Sequence, residues 1–571
     1  MARRRLKASE LRSNFEPGSS RWAVRRAQWR ALGLSDADME KPKIAVVNTS
    51  SEIAICFSHL DGIAKRAKEA IRAAGGLPFE IRTTAPSDFI LSAGRRATYI
   101  LPSRDLIAND VELQVEGPQL DGMLMLTSCD KTVPGQLMAA ARLDIPTLMV
   151  VCGYQASGEI AGEHVDIEEV FLHAGYHAQG ATSFDRLKEM SEQAIRSPGV
   201  CSGMGTANSM HSVTEALGLA LPGAAPVAAN SPAMWDQVDR AGARLVEMIW
   251  EDLRPREILT PAAFRNAARV NLAQAGSINC IKHLQAVALE AGADVDLYET
   301  FDRESDRIPV LTAVRPIGSH SIEAFEAAGG ARGTMKRLEP LLETEALTCT
   351  GQTLAANLEG VEITDDAVIR PLDDPHASEP AIVLLKGTLA PNTGIVKVGL
   401  RTPDRKLTFR GPARVFETSA DAEAALSAGR IKPGDVLVLR RQGVRGGPGM
   451  GGASRLVFAV EGAGLGPEVA VVTDGQLSGL VNKGLVVGEV QPEWAEAGPI
   501  ALVEDGDTIA IDVREKRLDL EVSAAELARR RAAFIPPEPT TDSGWLSVYE
   551  RTVSDLRKGA SLIPDARRKE K

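Results

Sequence analysis

Short apolar runs alternate with amphipathic segments along the first two thirds of the chain. The run Lys43–Asn48 is rich in β-branched residues, and it is followed by residues 60–74, in which apolar positions recur at helical spacing. Two further apolar runs, at 122–126 and 146–151, end in polar or glycine-containing turns. This alternation predicts an α/β domain built on a mostly parallel sheet.

The pattern changes after about residue 370, where Pro371, Pro375 and Pro380 interrupt the chain and helical periodicity gives way to short apolar or alternating runs. The predicted strands there are 381–385, 394–398, 435–439, 469–473 and 508–513. Many short strands separated by Gly and Asp turns predict a β-rich barrel or sandwich. We therefore predict two domains, an α/β domain over 1–370 and a β-rich domain over 371–571.

Composition narrows the class of protein. The 571 residues are 44% hydrophobic and 25% charged, as in a globular chain of more than one core, and the net charge is −11 with the basic residues spread out. Aromatic residues make up only 4%, so we expect no nucleic-acid partner. No apolar run reaches the roughly 20 residues of a membrane helix, and the basic start lacks the apolar core of a secretory signal. We expect a cytoplasmic protein without a membrane partner.

Cys129, Asp130 and Lys131 place a soft thiol, a hard carboxylate and an amine at three consecutive positions. They follow the predicted strand 122–126. In open α/β sheets, ligands usually bind at the carboxyl ends of the strands. The mixture of soft and hard ligands indicates two kinds of metal at this edge.

Two other cysteines, Cys56 and Cys201, also lie in polar or turn-rich runs. Together with Cys129 they would supply three thiolates, which could hold an iron–sulfur cluster and leave one iron site open for substrate. Six cysteines are too few for a disulfide scaffold in so long a chain. No C-x-x-C pair is present, which argues against a zinc ribbon or a ferredoxin-type cluster.

A single cysteine is more often a small buried hydrophobe than a ligand. Cys152, Cys280 and Cys349 fit that description, because they lie at the end of an apolar run, within a helix-like segment and after Leu347-Thr348. We predict that these three thiols are structural.

Residues 127–135 read Thr-Ser-Cys-Asp-Lys-Thr-Val-Pro-Gly. This run resembles the central signature of the dihydroxy-acid and sugar-acid dehydratase family. Further motifs similar to those of the family lie at 48–50, 56–59, 199–208, 276–279, 387–391, 446–450 and 473–479, so the resemblance covers nearly the whole chain. It implies an enzyme, a hydro-lyase that removes water from a 2,3-dihydroxy carboxylic acid to give a 2-keto-3-deoxy acid.

The resemblance also implies cofactors. Cys56, Cys129 and Cys201 match the family's three cluster ligands, and three cysteines favour a [2Fe-2S] centre over the [4Fe-4S] alternative. Asp88 and Asp130 match carboxylates that bind Mg²⁺, with Mn²⁺ as the alternative metal. An open iron site would polarise the departing 3-hydroxyl, and the hard cation would stabilise negative charge near C2.

Two further roles follow from the resemblance alone. Lys131 matches a lysine that is carbamylated in the family and so becomes an oxygen ligand, and Ser478 matches the base proposed to take the C2 proton. Taken singly, Asp88, Asp130, Lys131 and Ser478 would be ordinary turn or surface residues. Only their joint placement favours the catalytic interpretation.

Several positions depart from the family pattern. Gly452 stands where a glutamate usually contributes to the Mg²⁺ site, and Gln476 stands where an arginine usually continues the Thr-Asp-Gly motif. Phe57 replaces a commonly polar residue, and Arg441 and Gln442 replace a Tyr-Glu pair. These changes leave three interpretations open: a differently built metal site, an unusual substrate, or a descendant that binds or senses without dehydration.

The motifs are shared by the sugar-acid members and the branched-chain biosynthetic members of the family. The sequence prediction favours a sugar acid as the small-molecule substrate, with a branched-chain dihydroxy acid as the alternative. By analogy with the family, we expect a homodimer or homotetramer.

Overall fold

The computed structural model describes residues 4–94, 97–400, 406–479, 483–536, 538 and 542–562. A four-stranded parallel sheet forms the centre of the N-terminal part, with strand order β2-β1-β3-β4. Its strands are β1 (Lys43–Asn48), β2 (Leu77–Arg82), β3 (Gly122–Thr127) and β4 (Thr147–Val151). Strands β1, β3 and β4 are buried along their whole length, as continuous apolar runs in a parallel sheet require. The predicted α/β architecture is confirmed.

Helices cover this sheet and fill the rest of the N-terminal part. They are α1 (Ser20–Ala31), α2 (Asp36–Met39), α3 (Leu60–Ala73), α4 (Asp88–Leu91), α5 (Pro102–Glu116), α6 (Thr132–Leu143), α7 (Ile167–Ala178), α8 (Phe184–Gln193), α9 (Thr206–Ala216), α10 (Pro232–Trp250), α11 (Pro255–Ile258), α12 (Pro261–Ala273), α13 (Asn279–Ala291), α14 (Leu297–Ser305), α15 (Ile322–Ala328), α16 (Gly330–Leu338) and α17 (Leu354–Leu358). A short hairpin, β5 (Gly158–Ile160) and β6 (Glu163–Val165), precedes α7.

The two helices α10 and α12 show how the sequence fixes a helix start. Ser231 and Thr260 accept hydrogen bonds from the backbone N–H groups of Met234 and Ala263, and a proline follows each cap at the first helical position. Proline loses nothing there, since that position has no intrahelical acceptor for an N–H.

Eight strands form the second sheet, in the order β14-β13-β9-β10-β11-β12-β8-β7. They are β7 (Ile382–Leu385), β8 (Thr393–Lys397), β9 (Thr408–Phe416), β10 (Val436–Leu439), β11 (Ala470–Thr473), β12 (Leu485–Gln491), β13 (Thr508–Asp512) and β14 (Arg517–Leu520). A bridge between Lys386 and Arg517 links the two ends, so the sheet is a nearly closed barrel, as the β-rich prediction required. The helices α18 (Ser419–Ser427), α19 (Ser454–Gly462), α20 (Ala524–Ala533) and α21 (Trp545–Thr552) accompany it.

Strand β10 faces two cores at once. Val436 and Val438 belong to the interior of the barrel, whereas Leu437 and Leu439 belong to the large core that continues into the N-terminal part. This alternation follows from the two-residue period of a strand, and it joins the two parts through buried apolar surface. The boundary at residue 370 remains a prediction.

Among the residues described, no helix is both long and apolar enough to cross a bilayer.

Candidate active site

The cysteine motifs lie at one edge of the parallel sheet. Cys129, Asp130 and Lys131 occupy the connection between β3 and α6, and Cys56 lies in the loop between β1 and α3. Strands β1 and β3 are parallel neighbours, so both loops leave the sheet at the same end. The chain topology therefore brings two of the predicted cluster ligands together.

The three candidate thiols interact with one another, and Cys56 and Cys129 are buried whereas Cys201 is partly buried. A hydrogen bond with Cys56, reinforced by burial, raises the pKa of Cys129 well above its ordinary value. Burial raises the pKa of Cys201, and the charges of Asp130 and Cys56 add to the shift. Such thiols stay protonated unless a metal compensates the thiolate charge, because a buried anion without a partner is costly.

Asp88, at the start of α4, reaches the same site from another loop. The ammonium nitrogen of Lys131 lies 2.8 Å from Oδ2 of Asp88 and 4.0 Å from Oδ2 of Asp130, and Lys131 is fully buried. Burial, together with the charge of Asp88, raises the pKa of Asp130 to about 7, while Lys131 and a hydrogen bond with Thr206 oppose the shift.

The carboxylate oxygens of Asp88 and Asp130 could supply part of the ligand set of a hard cation. Oδ1 of Asp88 is buried and accepts no hydrogen bond from any described residue, so it is available as a ligand. Within the described ranges, no three His, Cys, Asp or Glu side chains form a ligand set for one metal ion. A cation held by Asp88 and Asp130 would need further oxygen ligands, and a modified Lys131 or the substrate is placed to supply them.

A pocket opens beside these groups. Its lining combines the candidate ligands with several apolar side chains, and two of its residues, Gly451 and Ser478, come from the C-terminal part. It is lined by Asp88, Phe89, Ser92, Ile100, Cys129, Asp130, Phe171, Cys201, Gly203, Gly205, Thr206, Ala207, Asn208, Gly451 and Ser478. Cys56 reaches it through its contact with Cys129.

Ser478 is presented by the loop that follows β11. Its backbone N–H donates to Oγ of Ser454, the first residue of α19, at 2.9 Å. Gly451 N–H donates to the carbonyl oxygen of Gln476 at 2.7 Å, which joins this loop to the glycine-rich loop formed by residues 446–452. Five of the seven candidate site residues thus line one pocket, while Cys56 and Lys131 contact two of those five. The roles assigned to the seven remain predictions.

The departures from the family pattern have local reasons. A Cβ at Gly452 would lie 2.7 Å from Cγ of Pro448, so a side chain there has no room unless the proline ring moves. Phe57 is fully buried in the large core. The guanidinium of Arg441 stacks on the ring of Trp494, 4.2 Å from its centroid.

The polar wall around Cys201 was not predicted residue by residue. The side-chain amide of Asn208 donates to the carbonyl oxygens of Cys201 and Gly203, both at 2.8 Å, and so fixes the loop before α9. Thr206 and Asn208 line the pocket. The Gly-x-Gly-Thr run after Cys201 could have indicated these pocket residues, because closely spaced glycines are typical of a backbone that approaches a ligand.

The other three cysteines do not line the pocket. Cys152, Cys280 and Cys349 are fully buried within the large core. This agrees with the prediction that they are structural.

Comparison with known proteins gives matches over nearly the full chain. The model of the dihydroxy-acid/6-phosphogluconate dehydratase N-terminal domain matches residues 41–357, and that of the C-terminal domain matches residues 367–560.

Whole-chain relatives agree with the family models. A dihydroxy-acid dehydratase of Methanococcoides burtonii is 41% identical over 551 residues, covering 96% of this chain and 99% of the relative. One of Syntrophobacter fumaroxidans is 40% identical over 555 residues, covering 97% and 99%. One of Ignicoccus hospitalis is 41% identical over 545 residues, covering 95% and 98%. The chain therefore belongs to the dihydroxy-acid/6-phosphogluconate dehydratase family and is a hydro-lyase acting on dihydroxy acids.

Proposed function

We propose that this enzyme dehydrates a 2,3-dihydroxy carboxylic acid with a short apolar tail, rather than the sugar acid that the sequence analysis favours. The observation that carries the proposal is the apolar side of the pocket, formed by Phe89, Ile100 and Phe171. The three relatives reported above are named dihydroxy-acid dehydratases, a name that is compatible with this substrate.

The aromatic rings on the apolar side pack against one another. Phe89 and Phe171 meet edge to face with ring centroids 5.8 Å apart, and Phe171 meets Phe458 in the same way at 4.8 Å. A sugar acid would direct hydroxyl groups at these rings and lose hydrogen bonds to water without replacement. A branched aliphatic tail would instead gain contact area.

The polar side of the pocket suits the reacting end of the substrate. Cys56, Cys129 and Cys201 would hold a [2Fe-2S] cluster, and Asp88 and Asp130 would hold Mg²⁺, with Mn²⁺ as the alternative metal. When bound, these groups supply a Lewis acid for the 3-hydroxyl and positive charge beside C2.

Ser478 lines the same pocket, and we assign to it the removal of the C2 proton. The hydrogen bond from its backbone N–H to Ser454 fixes the position of its Cα. Removal of the C2 proton and loss of hydroxide from C3 give an enol, which becomes the 2-keto acid when C3 takes a proton from solvent.

The test is a comparison of kcat/KM for anaerobically purified enzyme on 2,3-dihydroxy-3-methylbutanoate and on a panel of aldonates. We expect the branched acid to be preferred. The variant Phe171→Asn should lower kcat/KM for the branched acid by about tenfold, as expected for a lost apolar contact, whereas Phe171→Leu should retain most of it. Preference for an aldonate would contradict the substrate assignment. An intact cluster without turnover on any acid would favour a binding or sensing protein.

A further inference from the structure

A buried ion pair lies beneath the loop that carries Ser478. Nζ of Lys282, on α13, is 3.0 Å from Oε2 of Glu489, on β12, and neither side chain has exposed surface. The hydroxyl of Tyr298 donates to the other carboxylate oxygen of Glu489, and it also lies 2.8 Å from the carbonyl oxygen of Leu556. Neither charge lines the pocket, so the site described above does not account for the pair.

The backbone at Glu489 is held in an uncommon conformation. Its φ is +56°, in the left-handed region that side chains other than glycine rarely adopt, and it lies where the pairing of β12 with β8 is interrupted by a bulge. Its N–H donates to the carbonyl oxygen of Gly475 at 2.6 Å. Strain of this kind persists only where the surroundings fix it, and it is frequent at functional sites.

Two side chains connect the ion pair to Leu477, the residue that precedes the candidate base. Nε2 of Gln476 donates to Oε2 of Glu489 at 3.0 Å, while Oε1 of Gln476 accepts from the N–H of Leu477 at 2.9 Å. On the other side, Nδ2 of Asn279 donates to the carbonyl oxygen of Leu477 at 3.0 Å, and Oδ1 of Asn279 is 3.4 Å from Nζ of Lys282. The N–H and the carbonyl group of Leu477 are thus linked to the ion pair by hydrogen bonds, through Gln476 and Asn279 respectively.

The same network reaches the carboxylate side of the pocket. Nδ2 of Asn279 is 3.2 Å from Oγ1 of Thr206, which in turn hydrogen-bonds Asp130. One asparagine therefore links the loop of the candidate base to a candidate metal ligand.

The pair also gives a reason for Gln476. Lys282 already neutralises the carboxylate of Glu489, so the loop residue that contacts this carboxylate does not need to be the arginine usual in the family. A second buried cation there would lack an anion of its own, which is costly in a buried site.

We propose that Lys282 and Glu489 are positioning residues for the dehydration, acting through Gln476 and Asn279 to fix the backbone of Leu477 and hence the placement of Ser478. The predicted effect on kcat rests on the proposed function. The effect of the ion pair on the loop can be measured without turnover.

The kinetic test compares two variants with a matched control. Lys282→Met removes the cation, and Gln476→Met removes the link to the loop while leaving the ion pair intact. Each should lower kcat at least about tenfold with KM changed less than about threefold, because misplacing a catalytic group affects the transition state more than substrate binding. Glu290→Gln is the control, since it removes the anion of another largely buried pair, in which Glu290 lies 2.6 Å from Arg142, at the other end of the same helix. It should leave kcat unchanged.

The second readout is hydrogen–deuterium exchange of residues 475–479. Exchange should rise in Lys282→Met and Gln476→Met but not in Glu290→Gln. The double variant Lys282→Met/Glu489→Gln, which removes both charges and keeps hydrogen-bonding groups toward Tyr298 and Gln476, should recover part of the lost kcat and protection. If Lys282→Met does not fold, Gln476→Met and the double variant carry the test.

Two outcomes would overturn the inference. One is wild-type kcat and wild-type exchange in both Gln476→Met and the foldable Lys282 variant. The other is a loss in Glu290→Gln as large as that in the loop variants, which would mean general destabilisation. If the wild-type enzyme turned over no acid, the proposed function would fail while the exchange data still decided whether the pair holds the loop.

Discussion

Nζ of Lys131 lies 2.8 Å from Oδ2 of Asp88, although Lys131 has no exposed surface. The ammonium of a buried lysine offsets one of the two neighbouring carboxylate charges, and removing it leaves both carboxylates without compensation. The charge balance of the pocket therefore depends on Lys131, whether it remains an ammonium or is converted to an anionic ligand beside a cation.

The variant Lys131→Met should abolish dehydration, with a loss of at least about 100-fold, because the electrostatic environment of the reacting carbons is lost. Keto-acid formation measures the effect, and circular dichroism shows whether the fold is intact. Lys336→Met, which removes a partly exposed lysine paired with Glu339, is the control and should keep wild-type activity. Turnover by folded Lys131→Met within threefold of wild type would contradict this role.

Replacing one cysteine at a time with serine should distinguish cluster ligands from structural thiols. Cys201→Ser should lose iron, acid-labile sulfide and visible absorbance, because a hydroxyl is a poor substitute for a thiolate ligand. Cys349→Ser should keep all three, since the thiol of Cys349 lies in the core 3.4 Å from the carbonyl oxygen of Ala220. Equal iron content in the two variants would argue against the assignment of Cys201.

Buried carboxylates beneath the glycine-rich loop predict a dependence of stability on pH. Burial, reinforced by the charge of Asp474, raises the pKa of Glu493 from 4.5 to about 8. The folded state then retains a proton that the unfolded chain has lost. The free energy of unfolding should therefore fall as pH rises from about 4.5 to about 8, by no more than about 1.4 kcal/mol per pH unit for this group.

Glu493→Gln removes this titration, so its stability relative to wild type should increase with pH. Urea unfolding at about pH 5 and about pH 8 measures the difference. The variant also loses one acceptor for the N–H groups of Val444 and Arg445, which adds an offset that does not change with pH. Glu359→Gln, at an exposed position, serves as the control. A constant difference between Glu493→Gln and wild type would refute the prediction.

Gly452 should tolerate no side chain. A Cβ there would meet the ring of Pro448 at 2.7 Å and Oε1 of Gln442 at 2.9 Å, so Gly452→Ala should cost about 1–3 kcal/mol. Gly452→Glu should be destabilised as well and should not raise activity. Gly62→Ala is the control, because its Cβ would contact only Trp235 at 3.8 Å and the site is helical. Higher activity in Gly452→Glu would show that a carboxylate ligand is simply missing.

Local periodicity was enough to predict most of the framework. The apolar runs became β1, β3 and β4, and the segment predicted over 60–74 is α3 (Leu60–Ala73). Strand β9 was not predicted because Gly411 and Pro412 interrupt its pattern. It nevertheless pairs with β13 over residues 408–412 and with β10 over residues 413–416. In the β-rich part, the neighbouring strands β9, β10, β11 and β12 pair in parallel, and helices α18 to α21 accompany the sheet. The sequence analysis predicted the strands of this part from apolar runs and did not predict these features.

The part of the candidate site that could be predicted from the sequence consists of metal-binding residue types in a loop after a predicted strand. Cys129 and Asp130 lie in the loop that follows a buried strand, where ligands usually bind in open α/β sheets. Lys282 was not predictable, because it lies in a helix whose other residues are almost all buried and its partner Glu489 is remote in the chain. The apolar wall was missed for the same reason: Phe89 and Phe171 become neighbours only through tertiary packing.

The most direct test of the central claim is turnover of 2,3-dihydroxy-3-methylbutanoate in D₂O by anaerobically purified enzyme with Mg²⁺, followed by proton NMR. We predict accumulation of 2-keto-3-methylbutanoate that carries solvent deuterium at C3, and no such product from the Cys201→Ser and Lys131→Met variants. Absence of the keto acid with an intact cluster, or full activity in either variant, would contradict the account.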